Sequence, residues 1–482
     1  MQRSLAVIHA LGMMLVMFSV AYALPIVGSL IYQDGTTAIF LTAMAMTLVA
    51  GGSMWYLTRG EKRQLTIRHG YLLVVVMWTA MPAFATLPLL DRLSFTDAYF
   101  ETMSALTTTG GTVMVGLDNL PPAINLWRHE LNWLGGIGVI VLAVAILPML
   151  GIGGRQLFKA ETPGPMKDSS LAPRITETAR NLWLAYLTIT VACILTLKTV
   201  GMSWLDAVCH AFSAMSLGGF STHDASVGYF NSPAIEFVLI VFMLLAAINF
   251  ATHFMAWRTK NWTPYLRDSE AIATISLLVT SVFVVTILLW VLNVYPDFTV
   301  ALRHVSFNLI SVATSSGYTS VDYAQWPIFA PLFMLFLSCV AASSGSTGGG
   351  IKMIRTLVLF KQAGREFTKL LHPDAVNPMK VGGLVIPNNI VYAVLGFIFL
   401  YFMSIVTLTF AMLLSGLDFI SAFSAILASV NNVGPGLGIV GPASNYSVLT
   451  DIQTWLCTIG MLVGRLEIIT LLIIFTPGFW RR

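Results

Sequence analysis

Charge is what this sequence has least of. Asp, Glu, Lys and Arg make up 10% of its 482 residues, against about 25% in a typical soluble domain. With 56% hydrophobic residues and a mean hydropathy of +0.80, the chain reads as a polytopic membrane protein with no soluble domain. The net charge of +4 lies on no soluble basic face, so nucleic-acid binding is excluded. Cysteine is nearly as scarce. Cys193, Cys209, Cys339 and Cys457 each stand alone with no CxxC spacing, which leaves no disulfide framework and no thiolate metal site; they read as small buried residues. There is no HExxH, no GxSxG and no pair of carboxylates within an apolar run, so an intramembrane enzyme has nothing to work with. "LHPD" at 371–374 reads as a turn. A signal peptide is not expected, because the first apolar run is too long and lacks a small-residue cleavage site.

What the chain has is length in its apolar runs. A spanning helix needs ~20 mostly apolar residues. Ten candidates fall near 5–31, 37–57, 69–90, 123–150, 181–200, 232–256, 272–295, 327–343, 388–415 and 447–476. Basic residues gather in alternate loops: Arg59, Lys62, Arg63 and Arg68; then Arg155, Lys159, Lys167, Arg174 and Arg180. Next come Arg258, Lys260 and Arg267; then Lys352, Arg355, Lys361, Arg365, Lys369 and Lys380, with Arg3, Arg481 and Arg482 at the ends. The other loops keep Arg92, Arg128, Lys198 and Arg303, and Arg465 falls inside a span. Basic loops face the cytoplasm, so both termini are expected there.

Four small, polar, glycine-centred stretches interrupt this apolar text: "SALTTTGGTV" (104–113), "SAMSLGGFST" (213–222), "SVATSSGYTS" (311–320) and "ASVNNVGPGLG" (428–438). Their central glycines, Gly110, Gly219, Gly317 and Gly434, are spaced by 109, 98 and 117 positions. A period of this size, with two spans per unit, indicates a repeated membrane module. Each loop follows a segment of about three helical turns, at 97–107, 206–216, 299–313 and 418–430, too short to cross a bilayer and suited to a re-entrant helix. Non-helical backbone at membrane depth is tolerated where it is buried in protein or lines a watery cavity. Four such helices around one axis would aim their negative C-terminal ends inward, and the carbonyls beyond them could replace a cation's hydration shell. Asp97, Asp206 and Asp418 are expected to cap the short helices, the rival role being to draw cations to the mouth.

"TTTGG", "SLGGFST", "TSSGYTS" and "NNVGPGLG", each between a short helix and a span, resemble the Trk/Ktr/HKT superfamily of potassium transporters, the bacterial TrkH/TrkG type above all. The resemblance covers the whole chain. It implies an all-α polytopic membrane protein with four M1–P–M2 repeats around one pore, two added N-terminal helices, ten spans and four re-entrant pore helices. The organisation it implies is an N-terminal pair at 1–68 and pore repeats at 69–180, 181–270, 271–387 and 388–482. Carried onto this sequence, potassium would meet main-chain oxygens at Thr108, Thr109 and Gly110, at Leu217, Gly218 and Gly219, at Ser315, Ser316 and Gly317, and at Asn432, Val433 and Gly434. Pro435 departs from the other three loops and matches the fourth loop of this type.

Two more features fit the resemblance. "AASSGSTGGGIK" at 341–352 has the G-x-x-x-x-G spacing of a phosphate loop, but Ile351 stands where the motif needs Lys and Thr356 comes too late. The family has a gating loop here, which would place Gly345, Gly348, Gly349 and Gly350 in the gate; the plain alternative is a kinked, packed helix. Arg465, a charge at membrane depth, resembles the family arginine below the filter, with pairing to Glu467 or snorkelling as the alternative. His210, His253 and Glu236 read as packing or hydrogen-bonding residues. The resemblance further implies potassium uptake across the bacterial inner membrane, homodimers and a cytosolic nucleotide-binding ring of the TrkA type. No cofactor is expected in this chain; the nucleotide would sit on that partner, docked on the basic segments 155–180 and 352–380. Proton- or sodium-coupled symport stays open, as does, at greater distance, an ion-coupled carrier of an organic solute.

Overall fold

The computed structural model describes residues 5–60, 66–141, 171–375 and 377–481. The N-terminal pair is α1 (Leu5–Tyr32) and α2 (Thr37–Leu57). Three-part units follow. The first is α3 (Ile67–Ala85), α4 (Phe95–Leu106) and α5 (Pro122–Val141); the second is α6 (Leu171–Thr199), α7 (Trp204–Ser216) and the pair α8 (Pro233–Ala247) and α9 (Phe250–Thr259). The third is α10 (Ser269–Val291), α11 (Phe298–Ala313), α12 (Phe329–Ser338) and α13 (Met353–Leu371). The fourth is α14 (Asn388–Leu414), α15 (Phe419–Asn431), α16 (Asp451–Arg465) and α17 (Ile468–Leu472). The strand structure among the described residues is one hairpin, β1 (Lys380–Val381) against β2 (Leu384–Val385).

Among the described residues six helices are long and apolar enough to cross a membrane, and two bent pairs, α8–α9 and α16 with the turns after it, bring the number to eight. The remaining two of the ten spans are α5, whose described part ends at Val141, and α12, which stops at Ser338. The expected span at 123–150 therefore lies partly outside the described residues. Two spans read as continuous in the sequence are broken. The chain turns by 96° between α8 and α9 and by 111° after α16. At the first break Asn249 takes an extended conformation and its side chain accepts from the Ala251 N–H, starting a new helix. At the second, Glu467 has a left-handed φ of 55°, which stops α16.

Helices α4, α7, α11 and α15 have 12, 13, 16 and 13 residues. At ~1.5 Å per residue that is roughly 18–24 Å, short of a ~30 Å hydrocarbon core. Of the three aspartates expected to cap them, Asp418 does so and Asp97 and Asp206 do not. Ser94 and Ser203 are the N-caps, accepting from the Asp97 and Asp206 N–H groups, and each donates its hydroxyl to that aspartate. Asp418 is itself the cap of α15, accepting from Ser421 N–H. Asp97 and Asp206 stand three residues inside their helices, where the carboxylate accepts from the cap serine and favours the positive N-terminal end.

The N-terminal pair crosses at glycines: a Cβ on Gly12 would lie 2.7 Å from the Trp55 nitrogen, and one on Gly51 2.8 Å from the Gly12 carbonyl. The pair is keyed to the first repeat by Trp127, stacked on Tyr22 at 4.5 Å and donating its indole N–H to the Ala85 carbonyl at 3.1 Å. Large apolar side chains such as Val49, Phe237, Phe399 and Phe410 stay exposed on the outside, where lipid replaces water. The four pore helices, by contrast, run into the buried centre.

Candidate ion pathway

Each pore helix ends in the same way. One or two residues past its end comes a left-handed residue: Leu217 (φ 54°) and Asn432 (φ 53°) directly after α7 and α15, Thr108 (φ 53°) and Ser315 (φ 66°) two residues past α4 and α11. The next N–H reaches back five residues, Thr109 to Ser104, Gly218 to Ser213, Ser316 to Ser311 and Val433 to Ala428, at 2.8, 2.8, 2.8 and 2.9 Å. This is the Schellman way of closing a helix. It normally falls to glycine, and a side chain in its place costs about 1–3 kcal/mol. The residue after these donors is left-handed again and is always glycine: Gly110 (φ 81°), Gly219 (φ 67°), Gly317 (φ 81°) and Gly434 (φ 94°). Hands alternate along each strand, so successive carbonyls turn to one side instead of to opposite sides as in a β-strand.

The glycines are required twice over. A Cβ on Gly110 would run into the Gly218 carbonyl, one on Gly219 into that of Ser316, and one on Gly317 into that of Val433. One on Gly434 would lie 2.8 Å from the carbonyl oxygen of Thr109. First repeat meets second, second meets third, third meets fourth, and the fourth returns to the first. The carbonyls of Thr109, Gly218, Ser316 and Val433 thus form a closed circuit with Gly110, Gly219, Gly317 and Gly434, and Thr108, Leu217, Ser315 and Asn432 are the left-handed residues that lead into it. Asn432 ties the last strand to the first, donating to Thr109 Oγ1 at 2.9 Å, and Tyr446 donates to the Gly434 carbonyl at 2.6 Å.

Beneath the ring lies an irregular loop, and the kinked-helix alternative does not hold: from Val340 to Lys352 the chain is turns and extended backbone. The Gly349 N–H donates to Ser315 Oγ at 2.9 Å, and a Cβ on Gly349 would strike the Asn431 carbonyl. Gly348 is close to Thr314, a Cβ there lying 3.2 Å from its carbonyl. Gly345 packs on Asn249 at the break in the second repeat, and Gly350 on the Ser338 and Cys339 carbonyls. Thr347 donates its hydroxyl to the Met215 carbonyl at 3.0 Å. Arg465 is buried and donates to the Thr347 and Gly135 carbonyls, both at 3.0 Å. It does not pair with Glu467, which holds Arg355 at 2.8 Å. Lys352, grouped by sequence with the basic loop residues, instead turns its ammonium back onto the Gly348 carbonyl. Two cations therefore sit on the loop under the ring.

Above the ring, a buried ion pair fixes the first outgoing loop. Arg128 Nε donates to Glu101 at 2.7 Å, and the same carboxylate accepts from Val113 N–H at 3.0 Å. The sequence places Arg128 among the loop residues, although it stands five positions inside the apolar run 123–150, which is the signal that marks it. Glu236, with Arg303 at 2.6 Å, makes a similar bond between repeats, while His210 and His253 are hydrogen-bonded packing residues. Also missed were Gly135 and Gly464, where a Cβ would collide with the Leu106 and Val430 carbonyls at the ends of two pore helices. At the mouth, His223 Nδ1 lies 2.5 Å from Asp118 and its Nε2 3.3 Å from Asp206. Partial burial opposes its charge, but the Asp206 and Asp118 carboxylates outweigh this and hold its pKa above the ordinary histidine value. For Asp118 burial works upward, and the bonds it accepts from His223 and from the Asp224 N–H together bring its pKa below the usual carboxylate value.

Four span–helix–span units whose strands close one ring of carbonyls, with an irregular cationic loop below, define a multi-pass membrane pore protein made from a single chain. The chain belongs to the TrkH family, described as cation transport proteins, whose family model matches residues 36–481. It is 44% identical over 480 residues to the Trk system potassium uptake protein TrkH of Salmonella typhimurium, covering 99% of both chains. It is 38% identical over 481 residues to the Trk system potassium uptake protein TrkG of Escherichia coli, covering 98% of each. The crystal structure of the potassium transporter TrkH from Vibrio parahaemolyticus superposes with a TM-score of 0.91 at 43% identity, over 99% of each chain.

Proposed function

We propose that this chain admits potassium across the bacterial inner membrane through the carbonyl ring. The carrying observation is the closed circuit of Thr109, Gly218, Ser316 and Val433 carbonyls against Gly434, Gly110, Gly219 and Gly317. A dehydrated cation at its centre would be solvated by main-chain oxygens. The negative ends of α4, α7, α11 and α15 face the same centre and favour positive charge there. The relatives' names, potassium uptake proteins, give the ion.

Loop 340–352 is the gate, with Gly345, Gly348, Gly349 and Gly350 letting it change shape and Arg465 and Lys352 raising an electrostatic barrier beneath the ring. Basic residues on α13 (Arg355, Lys361, Arg365 and Lys369) support a cytoplasmic placement of that side and a docking face for a TrkA-type regulatory ring, with the protein acting as a homodimer. The segment 155–180, also expected to dock that ring, lies mostly outside the described residues. Entry would be driven by the membrane potential, worth ~2.3 kcal/mol per charge per 100 mV.

The test is flux of K⁺, Rb⁺, Na⁺ and Li⁺ into liposomes holding the purified chain, with and without an imposed proton gradient and with the regulatory ring added. Voltage-following K⁺ and Rb⁺ flux that ignores proton and sodium gradients is expected. Flux that stops when either gradient is removed would replace the pore by a symporter.

A further inference from the structure

The loop beneath the ring closes on itself at a narrow neck. The Ile351 N–H donates to the Cys339 carbonyl at 2.7 Å, and the Met353 N–H to that of Ala342 at 2.8 Å. Between them Lys352 sits at φ 75°, ψ 144°, a region that side-chain-bearing residues occupy rarely and only where their surroundings hold them. Something must therefore keep the two feet together.

One side chain outside the loop touches both. Glu270, in the first turn of α10, is 6% exposed. Its Oε2 accepts from the Ser344 N–H at 2.8 Å on one foot and from the Ile354 N–H at 3.1 Å on the other. Glu270 is itself fixed from behind. Asp268 caps α10 through the Glu270 and Ala271 N–H groups and accepts from Thr252 on α9 at 2.7 Å. The chain of bonds thus runs from the broken span of the second repeat, through Asp268 and Glu270, to both ends of the loop.

We propose that Glu270 is the positioning residue that holds the loop closed beneath the ring. Its one oxygen joins the two feet, so they cannot part without breaking at least one of the two bonds. Bonds from N–H groups to an ionised carboxylate are about twice as strong as those to a neutral acceptor, which makes this the firmest point of the neck. Removing the charge while keeping the shape loosens the closed state and leaves the ring above it untouched. This rests on the gate reading given above.

The experiment compares the full chain with Glu270→Gln and Glu270→Asp in liposomes. Glu270→Gln is expected to raise basal Rb⁺ flux about fivefold, the difference between charged and neutral acceptors, with the K⁺/Na⁺ ratio unchanged. Glu270→Asp keeps the charge but is too short for both feet, and moves the flux the same way. A membrane-impermeant thiol reagent is used on Ser346→Cys as the second readout; its reaction should be faster in the Glu270→Gln background. If both variants elute as the parent does and neither flux nor labelling changes, the proposal is overturned. Deleting 343–350 separates the two ideas. A deletion without effect on basal flux removes the gate reading, while faster labelling would still establish Glu270 as the fastener of the loop.

Discussion

At Gly110 a single hydrogen stands where any other residue would put a carbon into the Gly218 carbonyl. Gly110→Ser must therefore push that oxygen off the ring, besides straining a φ of 81°. The K⁺/Na⁺ permeability ratio is expected to fall about tenfold, the factor that ~1.4 kcal/mol gives. Bi-ionic reversal potentials read it directly, and an unchanged ratio would remove Gly110 from the ion path. His223 carries a prediction in pH. Its pKa is raised in the folded state, so its contribution is whole below the unfolded value and lost as pH rises through the folded one. That of Asp118 is lowered, so its contribution is present above the unfolded value and lost as pH falls through the folded one. The contact is strongest between those two values. Amide exchange of Asp224, whose N–H donates to Asp118 at 3.2 Å, should be slowest in that window once corrected for intrinsic rate. His223→Gln should flatten the profile at its upper edge.

At the scale of the element, loop 340–352 and Arg465 act on one another through the Thr347 carbonyl. Arg465→Ala removes one of the loop's cross-repeat anchors and one of its two cations. Basal flux should rise about tenfold if that bond to a charged donor is worth ~1.5 kcal/mol. Deleting 343–350 should do more, and in both the K⁺/Na⁺ ratio should stay put. A folded, monodisperse Arg465→Ala protein that is as closed as the parent would make the arginine a strut.

This element also shows what a sequence reveals. The four loops were legible because each carries a glycine in register after a short apolar segment, a one-dimensional signal. The breaks at Asn249 and Glu467 were not. They sit inside apolar runs whose hydropathy passes for a continuous span, and what marks them is a side-chain cap at Asn249 and a left-handed φ at Glu467. Ser94 and Ser203 hid behind more conspicuous aspartates three positions on. Glu101 and Arg128 are 27 positions apart and meet through the fold alone.

For the whole molecule, a bound cation would touch all four repeats at once, so it acts as a bolt through the centre. Binding to the folded state alone adds ~2.7 kcal/mol at a hundredfold excess over Kd. Thermal unfolding in KCl should therefore lie above that in NaCl at equal ionic strength, and Gly110→Ser should shrink the gap. Equal midpoints in the two salts would mean that the ring does not discriminate at equilibrium.

The ring is also written once, in one reading frame, with four different spellings: TTG, LGG, SSG and NVG. In a pore made of four identical subunits a single codon change is copied to every corner. Here it reaches one corner and spares three. The protein can thus be titrated genetically, one, two, three or four corners at a time, and the response to dose would tell whether an ion feels the corners separately or as one.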